Sequence, residues 1–331
     1  MKKTRIFLIL SIISLPVLML ISLSLGSFYI SPREIIDSLL GKTSGMVEAV
    51  IWKIRLPRIL GGFFAGSALS IVGMGFQSIL RNPLADPYIL GISAGSAFGA
   101  VLAIALNQFM GFYWFSNVET MSFIFALLSI ILTYSIAFRK RTLPVVELIL
   151  SGAIVNLLFG SLITFTITFY WRNVSHSTFW LMGSLSGVYW DDLLKLSIVS
   201  TLGFLSFLTL ANSLNALSLG EEEAVYLGVR IELVKIMVFV IGSLMTAFVV
   251  STSGIIGFVG LVVPHMVRMV FGSDHRLTIP MSFIAGGELL VICDTISRTL
   301  FQPTEMPIGV ITSFVGIPIF IYILKRRKYR M

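Results

Sequence analysis

The sequence predicts an all-α membrane protein, a polytopic helical bundle of about ten transmembrane helices that forms a single domain over residues 1–331. Three observations lead to this fold class. Of the 331 residues, 56% are hydrophobic and only 12% are charged, whereas a soluble domain is about 45–50% apolar and about 25% charged. The apolar runs have the length of about 20 residues that crosses the hydrocarbon core as a helix. They also lack the alternating segments of about ten residues that form membrane barrels.

Ten apolar runs are predicted to span the membrane. The first follows three basic residues and, unlike a signal-peptide core of about 7–15 residues, is 20 residues long, so we expect it to be retained. Three later spans start at or near a proline, where the missing N–H interrupts no helical hydrogen bond: Pro57, Pro144 and Pro307. The predicted spans lie near residues 6–25, 57–80, 88–107, 119–138, 144–170, 192–211, 232–251, 255–271, 278–299 and 306–324.

The basic residues predict that both termini face the cytoplasm, because Lys and Arg accumulate in cytoplasmic segments. With this topology, 16 of the 24 Lys and Arg residues lie inside, at positions 2, 3, 5, 81, 139–141, 230, 235, 268, 276 and 325–330. The same distribution argues against nucleic-acid binding, since the net charge of +8 is spread over short segments between spans. The single Cys293 excludes an internal disulfide, and the scattered histidines predict no metal site.

Three arginines at span ends do not follow this charge rule. Arg55 and Arg58 flank the start of the second span and Arg298 ends the ninth, all on the predicted outer side. A single arginine there could simply extend its charged end to the interface. Three on one face fit better with a surface that docks carboxylates of an extracytoplasmic partner.

The link between the second and third spans contains Asn82, Pro83, Asp86 and Pro87, which predict a rigid cytoplasmic turn. The glycines that follow recur every four residues and would allow close helix packing in lipid: Gly91, Gly95 and Gly99. This spacing alone is a weak functional signal.

A second glycine-rich stretch leads into the eighth span. It contains Gly257 and Gly260, followed by Pro264 and His265 within the span. We expect His265 to be a buried or interfacial helix residue rather than a metal ligand.

An acidic segment separates the sixth and seventh spans. Three glutamates in its first turn complement a helix dipole, and a helix this short needs a partner to be stable. It is either an ordinary surface turn or a short cytoplasmic helix that docks in a cleft of another protein. Its key residues are Leu219, Gly220, Glu221, Glu222, Glu223, Ala224, Leu227 and Gly228.

Ionisable residues inside a bilayer are functional candidates. Glu288 falls near the middle of the ninth span without an obvious partner, whereas Asp294 lies one turn before Arg298 and can pair with it. Asn156 is a candidate for lining a pathway. An unpaired Glu288 leaves open an ion-coupled secondary transporter, while a membrane-bound enzyme would need clustered catalytic groups that the sequence does not show.

A nucleotide-binding phosphate loop is missing from the sequence. The motif G-x-x-x-x-G-K-[ST] is imitated by Gly41-Lys42-Thr43, but Ile36 occupies its first glycine position. We therefore expect no cofactor in this chain, and any ATP hydrolysis must occur on another chain.

Several segments together resemble the membrane subunit of the type II ABC importers that take up ferric siderophores, haem or vitamin B12. The resemblance runs from about residue 50 to the C-terminus and is specific in combination. The segments are RLPR at 55–58, NPLADPYILGISAG at 82–95, WLMGSLSGVYW at 180–190, LSLGEEEAVYLGV at 217–229, GIIGFVGLVVPHMVR at 254–268, DHR at 274–276 and DTISRTLFQPTEMPIGV at 294–310.

The resemblance implies a non-enzymatic permease in a bacterial or archaeal cytoplasmic (inner) membrane. Its partners would be a second copy of itself, two ATPase subunits that carry ATP and Mg, an extracytoplasmic solute-binding protein and membrane lipid. Residues 219–228 would couple to the ATPase, and the three arginines would receive acidic residues of the binding protein. The inner gate would lie near Val145 and Val146, which suggest a hydrophobic constriction. The segments do not distinguish among the chelates.

Overall fold

The computed structural model of the protein describes residues 14–110, 117–139, 141–169 and 179–328. The first expected span, 6–25, lies partly outside these residues, as do the last residue of the 144–170 span and the basic positions 2, 3, 5, 140 and 330. Of the first span, the structure describes a helix over Ser14–Ser24.

The described residues form helices joined by turns, with no β-strand among them beyond one isolated bridge between Arg139 and Thr142. The all-α class is confirmed. A π-helical turn over Ile51–Arg55 and a 3₁₀ helix over Pro87–Leu90 accompany the α-helices. The α-helices are α1 (Ser14–Ser24), α2 (Pro32–Leu39), α3 (Met46–Val50), α4 (Leu56–Ile79), α5 (Ile92–Met110), α6 (Val118–Ala137), α7 (Val145–Phe169), α8 (Trp190–Leu219), α9 (Glu221–Tyr226), α10 (Ile231–Ser253), α11 (Val259–Phe271), α12 (His275–Thr299) and α13 (Ile308–Lys328).

Six helical stretches of the described chain are long and apolar enough to cross a membrane: Met46–Ile79, Val118–Ala137, Val145–Phe169, Trp190–Leu219, Ile231–Ser253 and His275–Thr299. Four shorter apolar helices cover Ser14–Ser24, Ile92–Asn107, Val259–Phe271 and Ile308–Tyr322. Each apolar run in the sequence therefore overlaps one helix. The protein is a multi-pass membrane protein, since its helices present long apolar surfaces that only lipid can cover.

Pro57 is the second residue of α4, near a helix start as predicted, but the chain is already helical before it. The chain is helical without a break from Met46 to Ile79, and Pro57 lies inside this stretch. A proline ring inside an α-helix clashes with the carbonyl four residues earlier. The π-helical turn just before Pro57 widens the helix, and the Leu56 N–H bonds to the Ile51 carbonyl, so the clash is absorbed without ending the helix.

Other boundaries differ where backbone geometry overrides hydropathy. The third span begins as a helix only at Ile92, after Gly91 with a φ of 87°. The eighth begins at Val259, after Phe258 with a φ of 69°. Positive φ angles interrupt a right-handed helix, and hydropathy does not report them. The sixth span continues as helix to Leu219 instead of ending near 211.

Helix α4 is the centre of the bundle. It packs on α8, α10, α11 and α12, while α5, α6 and α7 pack on one another beside it. Most of its residues are buried on every side, as expected for a helix that is apolar all round.

Glycines set the distance between α4 and its neighbours. The backbones of Gly66 and Gly286 pack against each other, and Gly73 packs against the backbone of Gly260. On the other side of the bundle, Gly95 and Gly99 of α5 contact the α6 backbone at Phe125 and Met121. The close approach predicted from the four-residue glycine spacing is confirmed.

Gly73→Ala should therefore destabilise the bundle, because the added Cβ would overlap the Gly260 carbonyl. Overpacking of this kind reduces the free energy of unfolding by about 1–3 kcal/mol. The matched control is Gly160→Ala in α7, where an added Cβ meets open space and better helix propensity should add up to about 1 kcal/mol. Unfolding in dodecyl sulfate–detergent mixtures, followed by tryptophan fluorescence, measures both. Equal stability of the two variants would contradict this account.

Candidate functional site

The three arginines expected at an outer surface lie together at one end of the bundle. We call Arg55, Arg58, Asp294, Arg298 and Glu305 the arginine cluster. Asp294 is its centre: its Oδ1 lies 2.9 Å from Arg58 Nη2 and its Oδ2 lies 3.0 Å from Arg298 Nε. Arg58 Nη1 also pairs with Glu305 Oε2 at 2.9 Å. The pairing of Asp294 with Arg298, one turn apart, is thereby confirmed.

Other guanidinium donors bind the last turn of α1 and the chain segment that follows it. Arg55 donates to the carbonyls of Leu23, Ser24 and Phe28 at 2.5–3.2 Å. Arg298 donates to the Ser22 carbonyl and hydroxyl at 3.2 and 2.7 Å. These bonds fasten the end of α1 to the π-helical turn before α4 and to α12.

The expectation of an exposed arginine surface is therefore wrong for this conformation. Arg55, Arg58 and Arg298 are only 3–5% exposed, and their terminal guanidinium nitrogens bind acceptors within the chain. The physical reason is that the end of α1 and the segment after it supply carbonyl acceptors to Arg55 and Arg298, while Asp294 and Glu305 pair with Arg58. The sequence analysis missed Glu305 because it lies 247 residues from Arg58 and shares no helix with it.

The acidic segment lies at the opposite end of α4, α8 and α12. Its helix, α9, is bounded by Gly220 with a φ of 152° and Gly228 with a φ of 79°, as predicted. Ala224 is fully buried against the bundle. The opposite side of the acidic segment is exposed: the side chains of Leu219, Tyr226 and Leu227 are 68%, 90% and 64% exposed. A short helix with large apolar side chains in water offers a surface for another protein.

One charged group fixes the acidic segment to the bundle. Lys235 of α10 is buried, and its Nζ lies 3.0 Å from Glu221 Oε1 and 3.2 Å from Glu232 Oε1. Glu232 also accepts the backbone N–H of Leu143 through Oε2 at 2.6 Å. Glu222 and Glu223 have no such link to Lys235 among the described contacts. The sequence analysis did not single out Lys235 or Glu232, although their spacing of three residues is that of a helical ion pair.

A cleft of about 470 Å³ opens beside the acidic segment. At its edge, Asn215 Oδ1 accepts the backbone N–H of His275 at 2.8 Å, and Asn215 Nδ2 donates to Asp274 at 2.8 Å. Asp274 caps α12, and its bonds with Arg276 and Asn215 hold the pKa of its carboxyl well below the usual value. The cleft is lined by Gln77, Ser78, Arg81, Pro83, Leu217, Ser218, Leu219, Gly220, Arg268, Ser273 and His275.

The predicted rigid turn after α4 is present. Asn82 Oδ1 accepts the Leu84 N–H, and Asp86 Oδ1 accepts the Tyr88 N–H, both at 2.9 Å. Burial raises the pKa of Asp86 to about 6. Pro83 lines the cleft, and Pro87 packs on Gly260. Side-chain acceptors and a proline ring thus fix this link against α11.

The glycine-rich stretch before α11 is held against the bundle by Tyr88. Tyr88 reaches it with its hydroxyl, which donates to the Ile256 carbonyl at 2.9 Å and accepts the Ile256 N–H at 3.1 Å. Pro264 is buried inside α11, and His265 is half-buried. Gly257 faces open space. Among the described residues no group of three or more His, Cys, Asp or Glu side chains could hold a metal.

The residues predicted to line a pathway are distributed over two helices. Val145 at the start of α7 is half-buried, Val146 is exposed, and Asn156 bonds weakly to the Tyr88 carbonyl at 3.5 Å. Glu288 is on α12 and accepts a hydrogen bond from Ser14 of α1 at 2.8 Å. Glu288 therefore has a partner that sequence alone did not reveal.

A bundle of apolar helices, with charged groups paired at its ends and a protruding acidic helix, suits a transport subunit. The FecCD transport family matches residues 14–326. The chain belongs to this family.

Three similar proteins each cover most of this chain. The cobalamin import system permease protein BtuC of Halobacterium salinarum is 40% identical over 283 residues, which are 86% of this chain and 75% of the relative. The hemin transport system permease protein HmuU of Yersinia pestis is 35% identical and covers 98% of this chain and 96% of the relative. The molybdate import system permease protein MolB of Haemophilus influenzae is 35% identical and covers 92% of each chain.

A solved structure shares the fold along almost the whole chain. It is described as an inward-facing conformation of a metal-chelate type ABC transporter, with a TM-score of 0.84 and 32% identity over 97% of this chain and 99% of that chain. The resemblance found in the sequence motifs is confirmed, and the chain is a permease subunit of the ABC importer type.

Asp294→Ala should destabilise this FecCD-family protein strongly, because it leaves two buried guanidinium groups without their shared carboxylate. Breaking a buried ion pair reduces the free energy of unfolding by about 3–5 kcal/mol. The control is Asp37→Ala, since Asp37 pairs at 4.0 Å with an Arg33 side chain that is 94% exposed; such pairs contribute about 0–1 kcal/mol. Thermal unfolding in detergent compares them. A small effect of Asp294→Ala, equal to that of Asp37→Ala, would disprove the role of the arginine cluster.

Proposed function

We propose that this chain is the membrane-spanning subunit of an importer that carries a metal chelate, such as a ferric siderophore, haem or a cobalamin, into the cytoplasm. The observation that carries the proposal is the acidic segment of this FecCD-family chain. One side of its short helix is buried against the bundle at Ala224, and the opposite side is exposed. The substrate class follows the names of the relatives, which include cobalamin and hemin permeases.

The energy source is a separate ATPase subunit, which binds ATP and Mg. The sequence contains no phosphate-binding loop, and the exposed Tyr226 and Leu227 offer apolar side chains to such a partner. Aromatic side chains in partner pockets are typical anchors of protein interfaces.

All ten apolar helices span the cytoplasmic membrane in this proposal, with both termini inside. Ten helices match the ten apolar runs, and the four shorter ones can be completed by flanking turns or by packing within the bundle. An even number of spans puts both termini on one side, and the bias of Lys and Arg puts that side in the cytoplasm.

The assembly contains a second copy of this chain, two ATPase subunits and an extracytoplasmic solute-binding protein. Helices α7 and α13 present large apolar side chains outward, among them Leu157 and Phe314 at 73% and 71% exposed. These apolar faces can be covered by lipid or by a second copy of the chain. The arginine cluster, being internally paired, supports α1 and α4 beneath a docking face rather than forming the face itself.

Transport proceeds as a shift between outward-open and inward-open populations of the bundle. ATP binding draws the two ATPase subunits together and moves the acidic segment seated on each. Val145 and Val146 at the start of α7 close the inner side as a hydrophobic constriction that excludes water.

The complex reconstituted in proteoliposomes should take up one of three probes, cyanocobalamin, haemin or a ferric hydroxamate, only when ATP is present on the ATPase side. The chain alone should take up none, because it has no site for ATP. Uptake of radiolabelled or absorbing probe into the vesicles is the measurement. Uptake driven by a proton gradient without ATP would instead support a secondary transporter.

Tyr226→Ala should weaken binding of the ATPase subunit, because it removes the most exposed large side chain of α9. Truncation of an interface anchor typically costs about 2–4 kcal/mol, so we expect affinity to fall by roughly 30-fold or more. Leu202→Ala, which removes a side chain 59% exposed in the middle of α8, is the control. Affinity is measured by biolayer interferometry in nanodiscs, and an equal affinity of both variants would count against docking through α9.

A further inference from the structure

We propose that Lys235 is a positioning residue that transmits movement of α9 to the start of α7, through Glu232 and the backbone N–H of Leu143. We call Glu221, Lys235, Glu232 and Leu143 the lysine node. The inference rests on the proposed function and adds to it the physical route from the ATPase side to the valines of the proposed gate.

The first half of the node joins α9 to α10. The Lys235 side chain is 5% exposed and its Nζ contacts Glu221 at 3.0 Å and Glu232 at 3.2 Å. A buried ammonium group is strongly unfavourable without partners. Removing either carboxylate would leave it poorly compensated, so α9 cannot move away without drawing Lys235 with it or breaking a buried ion pair.

The second half joins α10 to the start of α7. The Leu143 N–H donates to Glu232 Oε2 at 2.6 Å, and Leu143 itself is 1% exposed. A buried backbone N–H requires an acceptor, and an ionised carboxylate is the strongest one available. Pro144 follows directly and α7 begins at Val145, so the carboxylate holds the chain two residues before the proposed gate.

The node connects helices that otherwise have different packing partners. Helix α7 packs chiefly on α5, α6 and the 3₁₀ helix Pro87–Leu90, whereas α9 packs chiefly on α8. A shift of α9 transmitted only by apolar contacts would pass through α8 first. The lysine node gives a direct connection in which every contact involves an ionised side chain, and Lys235 and Leu143 are themselves buried. Hydrogen bonds to ionised groups are stronger than neutral ones.

A comparable pair elsewhere in the chain lacks these properties. Lys195 and Asp192 have the same spacing of three residues, but their contact is 3.5 Å and the Lys195 side chain is 55% exposed. Exposed pairs contribute little. Lys195→Met is therefore the matched control for Lys235→Met.

The experiment uses the complete complex of permease, ATPase and binding protein in nanodiscs. A nitroxide is attached at Leu150→Cys, an exposed position in the second turn of α7, while the native Cys293 is buried. Double electron–electron resonance then gives the distance between the two copies of α7, without nucleotide and after trapping with ATP, Mg and vanadate. ATP hydrolysis is measured on the same samples.

In the complex without substitutions and in the Lys195→Met complex, trapping with ATP, Mg and vanadate should change the distance between the two α7 helices. In Lys235→Met the fraction of molecules that respond should fall at least about fivefold, the lower end of a typical coupling between two sites, while hydrolysis continues. Lys235→Arg, which keeps the charge, should restore the response. If Lys235→Met does not fold, Glu232→Gln serves as the second variant, since it keeps the size of the side chain and removes the charge.

A full α7 response in both Lys235→Met and Glu232→Gln would overturn the proposal, as would a Lys235→Arg variant no better than Lys235→Met. If the complex without substitutions binds no ATPase, or if its α7 helices do not respond to nucleotide, the proposed function is refuted. The role of the lysine node, which rests on that function, is then refuted as well. The two failures are thus distinguishable.

Discussion

Charge in the interior of an apolar bundle needs partners from the same chain, since neither lipid nor packed side chains solvate an ion. This constraint shapes both ends of the molecule. At one end a single carboxylate, Asp294, bridges Arg58 and Arg298. At the other, Lys235 bridges Glu221 and Glu232. In each case at least one ion pair joins two helices, α4 with α12 and α9 with α10, so satisfying the ions also fixes how those helices are placed.

The two clusters are built differently, and the difference fits two mechanical roles. The arginine cluster binds carbonyl groups at the end of α1 and just after it as well as carboxylates, and so holds α1, α4 and α12 together. The lysine node has fewer bonds and includes one helix, α9, whose other side is open to water. We expect the lysine node to transmit displacement applied to the exposed side of α9, whereas the arginine cluster keeps its helices in place.

Between these ends, the middle of the bundle is held by backbone contact rather than by ions. Gly66 against Gly286 and Gly73 against Gly260 bring α4 next to α12 and α11. Close backbone packing of this kind replaces the hydrophobic driving force that is absent between helices in lipid. Helices packed this closely move as rigid bodies, which suits a bundle that alternates between two arrangements.

The sequence by itself determined the helical class, the positions of the apolar runs and the family, because hydropathy and local motifs depend on residues close together in the chain. It also predicted pairs one helical turn apart, such as Asp294 with Arg298. It could not show that Pro57 lies inside a helix, because the π-helical turn that accommodates it is a backbone adjustment to packing.

Only the tertiary structure decided which charges are paired. Arg58 with Glu305 and Glu232 with Leu143 join residues 247 and 89 positions apart, and no periodicity links such distant residues. For the same reason, the arginines expected on an open surface turned out to be buried, bound to the end of α1 and to carboxylates of the chain. Burial is a property of the folded neighbourhood of a residue, and the local sequence around an arginine does not contain it.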